Sequence, residues 1–448
     1  MPVRAQSSVD DDGFTLIEVI VAMLIFTIIL TGFLYTMTAS LTATRDTRAR
    51  IVAANLASQQ IDVLRSAADA FGVTTAPPFD IELNGDTFHV RVETEWVTTT
   101  GAAASCEAGL PIASLAYNHV TVKVTWDNMR EGAQPVYSDT SLTPRTKIND
   151  PALGTVLVGV VNAAGTAVAG ATVSLTPAGV AAVTTGSDGC AYLLKVPPGD
   201  YTVTVSKAGH VSEQQIAEPT ATVPVTAGGS SRVSFAYDRA TSYIVSYGSG
   251  LPAGVRIPNN LTTTFVSTYG NFQMAAITNA RTKTFSLYPV SAGYSIMAGA
   301  YAETPENPAT SCLTPDPGEW IPEPSKVGTR PGAVGGEAGS AVPAAVPMGE
   351  VRLDGANGAG TSSAPRNHLK AVYVGGGAGD PGCPAGMTYT FGDVISSNKA
   401  TILLPYGTWK LYRGNASSQT TQITTGIIVP SSGSVAPGVV VLDPRVAP

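Results

Sequence analysis

Few side chains in this 448-residue sequence are spaced for chemistry. The four histidines stand apart: His89 and His119 lie in strand-like stretches without a second ligand-type residue at metal spacing, and His210 and His368 have no paired carboxylate nearby in sequence. Gly377, Gly379 and Gly382 formally match the dinucleotide fingerprint and follow a strand-like stretch at 369–374. That fingerprint works because a helix N-terminus follows and its amides hold a pyrophosphate, and Cys383-Pro384 cannot start a regular helix. Ser396 and Lys399 spell S-x-x-K, a nucleophile arrangement only on a helix with partner motifs, which are missing here. The expectation is a chain with no catalytic residue, no metal and no cofactor.

Cys106, Cys190, Cys312 and Cys383 form no C-x-x-C pair, which removes zinc and thioredoxin-like chemistry. An even, sparse set in an exported protein allows one or two disulfides, and four cysteines permit three complete pairings. Sequence alone does not choose among these and four independent thiols. Cys312 with Cys383 is favoured because both lie in the loop-rich distal part, and closing that loop would stabilise by roughly 4 kcal/mol on the chain-entropy account.

The carboxylate in the most demanding place is Glu18. Residues 14–37 carry no other charge, and as a helix they are long enough to span a bilayer core of about 30 Å. A secretory signal peptide would have a shorter apolar stretch, a basic start and a small-x-small cleavage site. A carboxylate at the centre of such a span costs about 2.5–3.5 kcal/mol, less near the end, so Glu18 needs a partner or serves only to complement the helix dipole.

Positioning Glu18 is the work of one long helix, since no Gly or Pro occurs between Gly32 and Gly72. Ala53, Leu56, Ala57, Ile61 and Leu64 fall on one stripe with Gln60, so the second half is amphipathic whereas the first is apolar all round. Two environments on one helix suit a subunit that first sits in membrane and later packs among copies of itself.

Beyond the helix, alternating stretches at 79–96 and 115–126 predict a small antiparallel sheet packed on it. Residues 152–237 show short β-branched strands separated by Gly, Pro and Asp turns, the pattern of a β-sandwich. Residues 240–302 and 348–448 read as two further β units, because Pro289 to Tyr294 and Pro405 to Trp409 loosely repeat the turn-then-strand signature at Pro197 to Tyr201. Two unrelated sandwiches or one composite domain fit the same repeat. Between them, residues 303–347 hold nine prolines and have the composition of a linker or long loop, although Cys312 and Trp320 argue that part of it is pinned down.

Charged residues make up only 13%, and the net charge of −7 sits entirely in residues 1–150; residues 151–448 hold 16 acids and 16 bases. Bases scattered singly give no stripe to collect phosphates, so nucleic-acid binding has no electrostatic support. Tyr243, Tyr247, Tyr269, Trp320, Tyr406, Trp409 and Tyr412 could form a face for a surface glycan or protein ligand, or else belong to the core.

Gly13-Phe14-Thr15-Leu16-Ile17-Glu18-Val19 resembles the processing motif of type IV prepilins and type II secretion pseudopilins. Residues 55–65 and 117–126 resemble the helix end and central strand of minor pilins and I-type pseudopilins, so that the likeness covers residues 1–148. It implies a leader at 1–13, cleavage after Gly13 by a prepilin peptidase, N-methylation of Phe14, and a helix over 14–71. It also implies that Glu18 neutralises the Phe14 amine of a neighbouring subunit. Two departures stand out: Asp10, Asp11 and Asp12 precede the cut where Lys or Arg is usual, and Arg45, Arg48 and Arg50 fall on the expected outer side, against the positive-inside bias.

Residues 152–237 are similar to the carboxypeptidase regulatory-like, or transthyretin-like, fold, with its V-A-G-A-x-V, S-D-G and P-P-G-x-Y landmarks in order. That resemblance implies a spacer or binding module. The expected whole is α+β, a long pilin helix packed on a small antiparallel sheet and followed by two to three all-β sandwich-like domains. It implies a single-pass protein of the cytoplasmic membrane, its bulk extracytoplasmic, which joins other pilin subunits in a surface filament at low copy number or at the tip. A secretion pseudopilin and a surface adhesin are the competing readings.

Overall fold

The computed structural model describes residues 16–447 except 68, 69, 71, 72, 74, 100, 102, 105–114, 131, 145–149, 249, 253, 276–278, 305, 384–386, 431 and 432. The chain divides into two compact units, Met1–Asp150 and Pro151–Pro448. Its class is α+β, one long helix followed by many strands that pair mainly antiparallel.

In the first unit, helix α1 spans Leu16–Arg65 and stops short of 71. Ser66 ends it, its amide and its hydroxyl both donating to the Val63 carbonyl, at 3.1 and 2.6 Å. The apolar half contains threonines whose hydroxyls would be costly in hydrocarbon. Thr27, Thr31 and Thr38 donate instead to the carbonyls of Met23, Thr27 and Leu34, at 2.7, 2.9 and 3.1 Å. Strands β1 (Ala76–Leu83), β2 (Asp86–Thr98), β3 (Ala103–Ala104), β4 (Leu115–Trp126) and β5 (Val136–Leu142) form one antiparallel sheet in the order β1-β2-β4-β5, with β3 paired to β2.

The turn between β1 and β2 is Asn84-Gly85, both at positive φ, the backbone that a two-residue hairpin loop needs and that Asn-Gly adopts readily. Val120, Val122, Val124 and Trp126 of β4 pack on Ala49, Ala53, Leu56, Ala57 and Ile61 of α1. Three of those helix residues are alanines spaced four apart, which lets the sheet approach the helix closely.

The second unit begins with eight strands: β6 (Gly154–Val161), β7 (Thr172–Thr176), β8 (Val183–Thr184), β9 (Cys190–Val196), β10 (Gly199–Ser206), β11 (His210–Ser212), β12 (Thr220–Val225) and β13 (Ser230–Arg239). They make two four-stranded sheets, β12-β10-β7-β8 and β11-β13-β6-β9, over a Val-rich core that includes Tyr201, Phe235 and Tyr237. Gly189 shows how tight the turns are: its φ is +73°, and a Cβ there would meet the Val160 carbonyl at 2.6 Å.

The remainder differs from the expected pair of β units joined by a linker. Strands β14 (Thr241–Tyr247), β15 (Thr262–Ser267), β16 (Gly270–Ala275), β17 (Thr282–Leu287), β18 (Ser295–Ala298), β19 (Ala341–Val346) and β20 (Gly349–Asp354) share one hydrophobic core with His368–Tyr373, Lys399–Leu404, Gly407–Gly414 and Val439–Leu442. β19 comes from the segment read as linker, and it completes a sheet by pairing in parallel with β14. Pro343 is tolerated in it because β19 is an edge strand and that residue is exposed. Trp320, Thr314 and Asp316, also from 303–347, are fully buried. Composition misleads here because prolines suit a strap running over a core as well as they suit a free linker.

Candidate functional site

Glu18 lies in the first turn of α1, surrounded by exposed apolar side chains; Leu16 and Ile17 are 81% and 66% exposed. Among the described residues Glu18 makes no hydrogen bond or ion pair, and α1 is the one helix long and apolar enough to cross a membrane. Apolar exposure continues all round the helix through Leu41, 61% exposed; from Ala49 onward one face meets the sheet, while Ile51 and Val63 stay exposed on the other. A helix with this division can insert in lipid or pack against other helices, while its far end is already occupied by its own domain. Gly13 and Phe14, the residues expected at the processing site, lie outside the described residues, as does Cys106.

Cys312 and Cys383 are joined in a disulfide, and no described cysteine is a free thiol. The bond fastens the 303–347 strap to the loop after His368–Tyr373. Around it lies a polar network that sequence reading missed. The Asp380 carboxylate accepts from the hydroxyls of Thr314 (2.5 Å), Tyr373 (3.0 Å) and Thr408 (3.0 Å) and from the Gly382 amide (3.1 Å). Burial pushes the Tyr373 phenol up to about 12, so it stays a donor. Nearby, Asp316 is fully buried, accepts from the Gly318 amide at 2.8 Å and pairs with Arg330 at 2.5 Å. Asp443 accepts from the Arg445 amide at 2.9 Å.

Each of these aspartates precedes a proline and accepts from the amide two residues on, a turn in which the carboxylate replaces a backbone carbonyl and Pro presets the next φ. The signal was present as Asp316-Pro317, Asp380-Pro381 and Asp443-Pro444. This geometry holds chain segments together; it presents no activated nucleophile.

The histidines are placed as follows. His89 sits between Asp80 (2.7 Å) and Asp127 (3.1 Å), brought together by β1, β2 and the end of β4, and hydrogen bonds to those two carboxylates raise its pKa. His119 lies 3.8 Å from Asp139 on the next strand. Sequence spacing hid both pairings because they are cross-strand. Among the described residues no group of three or more His, Cys, Asp or Glu side chains could hold a metal ion. His210 packs on Tyr237 with ring centroids 5.5 Å apart and donates to the Ala208 carbonyl at 3.0 Å. Of the aromatic residues weighed as a ligand face, Tyr243, Tyr247, Trp320 and Trp409 are buried and Tyr269 is exposed.

Comparison with known proteins gives two matches to families. Residues 10–34 match the prokaryotic N-terminal methylation motif, and residues 155–238 match the carboxypeptidase regulatory-like domain. No curated protein matches the chain. Among solved structures, the Bacillus anthracis TIE protein is 11% identical, covering 80% of this chain and 73% of its own, with a TM-score of 0.20. The streptococcal ancillary pilin is 10% identical over 52% of this chain and 76% of its own, TM-score 0.19. GBS52, the minor pilin of Streptococcus agalactiae, is 10% identical over 43% of this chain and 94% of its own, TM-score 0.18. At such TM-scores these likenesses carry no argument. The chain thus carries the prokaryotic N-terminal methylation motif and, farther on, a carboxypeptidase regulatory-like domain.

Proposed function

We propose that this protein is a minor pilin or pilin-like subunit of a type IV pilus-like filament, anchored in the cytoplasmic membrane by one span, cleaved after Gly13 and N-methylated at Phe14. The observation that carries the reading is the continuity of the methylation motif at 10–34 with a helix whose first half is apolar and exposed all round while its second half is packed on a sheet. In the filament, Glu18 pairs with the Phe14 amine of a neighbouring subunit. The Pro151–Pro448 unit is a load of about 300 residues that would obstruct close lateral packing if every subunit carried it, which supports low copy number or a tip position.

Mass spectrometry of the mature N-terminus tests the reading. A chain beginning at N-methylated Phe14 is expected; an intact Met1, or a cut beyond Ala39, overturns it. Negative-stain localisation separates the finer statement, since even labelling along filaments contradicts a tip position.

A further inference from the structure

Between Glu18 and Arg45 the helix carries no charge, a stretch of 26 residues that rises about 39 Å. A bilayer including its headgroups measures about 40–45 Å, so a helix anchored with Glu18 at one surface brings Arg45 to the headgroups of the opposite leaflet. At that level the β1–β2 turn comes back against α1. Arg45 pairs with Asp86 at the start of β2, and between helix and hairpin lies a crevice of about 640 Å³.

The crevice has two chemistries. Leu41 on the helix and Leu83 at the hairpin tip, 61% and 38% exposed, give it apolar walls on the side of the span. Arg48 gives it a cation: one turn beyond Arg45, it lines the crevice, is exposed, and its guanidinium makes no hydrogen bond or ion pair among the described residues. Arg45 is already answered by Asp86, so Arg48 is the guanidinium left for an incoming anion. Helical side chains lean toward the N-terminus, which here is the membrane side, so Arg48 reaches down toward the phosphate layer. Arg50 is two residues on, about 200° around the helix, and does not line the crevice.

We infer that the crevice between α1 and the β1–β2 turn seats one anionic phospholipid, its phosphate on Arg48 and the start of its acyl chains against Leu41 and Leu83. A guanidinium matches a phosphate diester bidentately, and the apolar walls continue the hydrocarbon surface that the span occupies. This lipid would fix the depth of the helix and the height of the β domain above the membrane before assembly. The inference rests on the membrane-anchored reading proposed above.

The test uses the full chain, purified in detergent, delipidated and incubated in turn with phosphatidylglycerol, phosphatidylcholine and soluble glycerol phosphate, with bound species counted by native mass spectrometry. One phosphatidylglycerol per chain is expected, with little retention of the other two. Arg48→Gln should weaken retention about tenfold, the loss of one charge-assisted contact, while Arg50→Gln changes it less than about twofold. Both positions are exposed on the helix, and circular dichroism confirms that the variants fold. Equal retention of phosphatidylcholine, binding of glycerol phosphate without acyl chains, equal loss in the two variants, or occupation of the crevice by a second copy of the chain would each overturn the assignment. Carbonate extraction of the same chain from membranes separates the two readings. Failure to insert removes both, whereas insertion without Arg48-dependent retention removes this one alone.

Discussion

The Arg445 guanidinium lies over the indole of Trp320, 5.7 Å from its ring centroid, and joins three segments that are far apart in sequence. Its side chain is 2% exposed, pairs with Asp443 at 2.9 Å and Glu323 at 3.0 Å, and donates to the carbonyls of Ile321 (2.6 Å) and Ala378 (2.9 Å). Trp320 in turn donates its indole N–H to the Thr314 carbonyl at 2.9 Å. The strap, the loop at 374–387 and the C-terminal segment are therefore held by one cation and one ring.

Removing that cation should be costly. Arg445→Met leaves the buried Asp443 carboxylate with only the backbone amide of residue 445 and Lys326, 3.9 Å away, and a loss of about 3 kcal/mol in urea unfolding is expected. Asp443→Asn combined with Arg445→Met should cost less than the sum of the single changes; strict additivity would show that the pair is not coupled. Burial alone would raise the Asp443 pKa, but hydrogen bonds and charge from Arg445 outweigh it and hold the carboxyl below its ordinary value of 3.8. Its contribution to stability is present above pH 3.8 and is lost as pH falls through the lower, folded-state value. That acid-side loss should be smaller in the Arg445→Met chain, where the backbone amide of residue 445 and Lys326, 3.9 Å from Asp443, remain.

The disulfide acts on the same strap through the unfolded chain. Cys312 and Cys383 are 71 residues apart, so replacing both with serine should lower stability by about 4 kcal/mol on the chain-entropy account. The local effect is separable from the global one. The amides of Leu313 and Thr314 donate to the Gly382 carbonyl at 2.9 and 3.3 Å, beside the bond. Hydrogen exchange at these amides should accelerate in the serine chain under conditions where the core strand Gly407–Gly414 remains protected. Unchanged exchange at Leu313 would mean that the Asp380 network holds the strap without help.

How far the sequence was legible depends on the range of the interaction. The break in α1 between exposed and packed halves follows from its own residues, as does the β4 alternation ending in Trp126, whereas the stretch at 79–96, expected as one run, is divided into β1 and β2 by the Asn84-Gly85 turn. The regulatory-like domain was readable for the same reason, since Asp188-Gly189 and its neighbours are local turn chemistry. The strap was not. Pro, Gly and Ala at 303–347 suggest a segment without regular structure, which misses β19, and what fixes the rest lies elsewhere, in Asp380, Thr408 and Arg445. His89 was read as isolated because its carboxylates, Asp80 and Asp127, come from other strands. Tyr243 and Trp409 looked like candidates for a ligand face because composition does not reveal which side of a strand meets another sheet.

Lys283 offers a test with the opposite sign. It sits on the inward face of β17, 7% exposed, its ammonium making no hydrogen bond among the described residues and lying 5.4 Å from the centroid of the Tyr247 ring. Burial lowers its pKa below the ordinary 10.5, so the folded state gives up a proton that the unfolded chain keeps. Stability should therefore rise with pH between the lowered value and 10.5 as this cost disappears. Buried tyrosines oppose it at the alkaline end: burial pushes Tyr243 and Tyr247 up to about 12, and their share of stability falls as pH rises from 10 toward that value. Comparing wild type with Lys283→Met isolates the lysine. The methionine chain should be more stable by about 1–3 kcal/mol at neutral pH, with the difference shrinking toward pH 10. A destabilised variant would show that the cation over Tyr247 outweighs its desolvation.

The Glu18 assignment separates into insertion and assembly. A carboxylate in an apolar span opposes insertion, by less than the 2.5–3.5 kcal/mol of a mid-span position because Glu18 lies near the end. Glu18→Val should therefore insert at least as well as the wild type, and carbonate extraction would show it. If the residue only complements the helix dipole, worth about 0.3–1 kcal/mol, the variant should also enter filaments normally. If it answers the Phe14 amine of a neighbour, the amine is left uncompensated in an apolar contact between subunits, and incorporation should fall sharply while membrane levels hold. Sheared-filament fractions probed for the Pro151–Pro448 unit distinguish the two outcomes, and normal incorporation of Glu18→Val would remove the pairing.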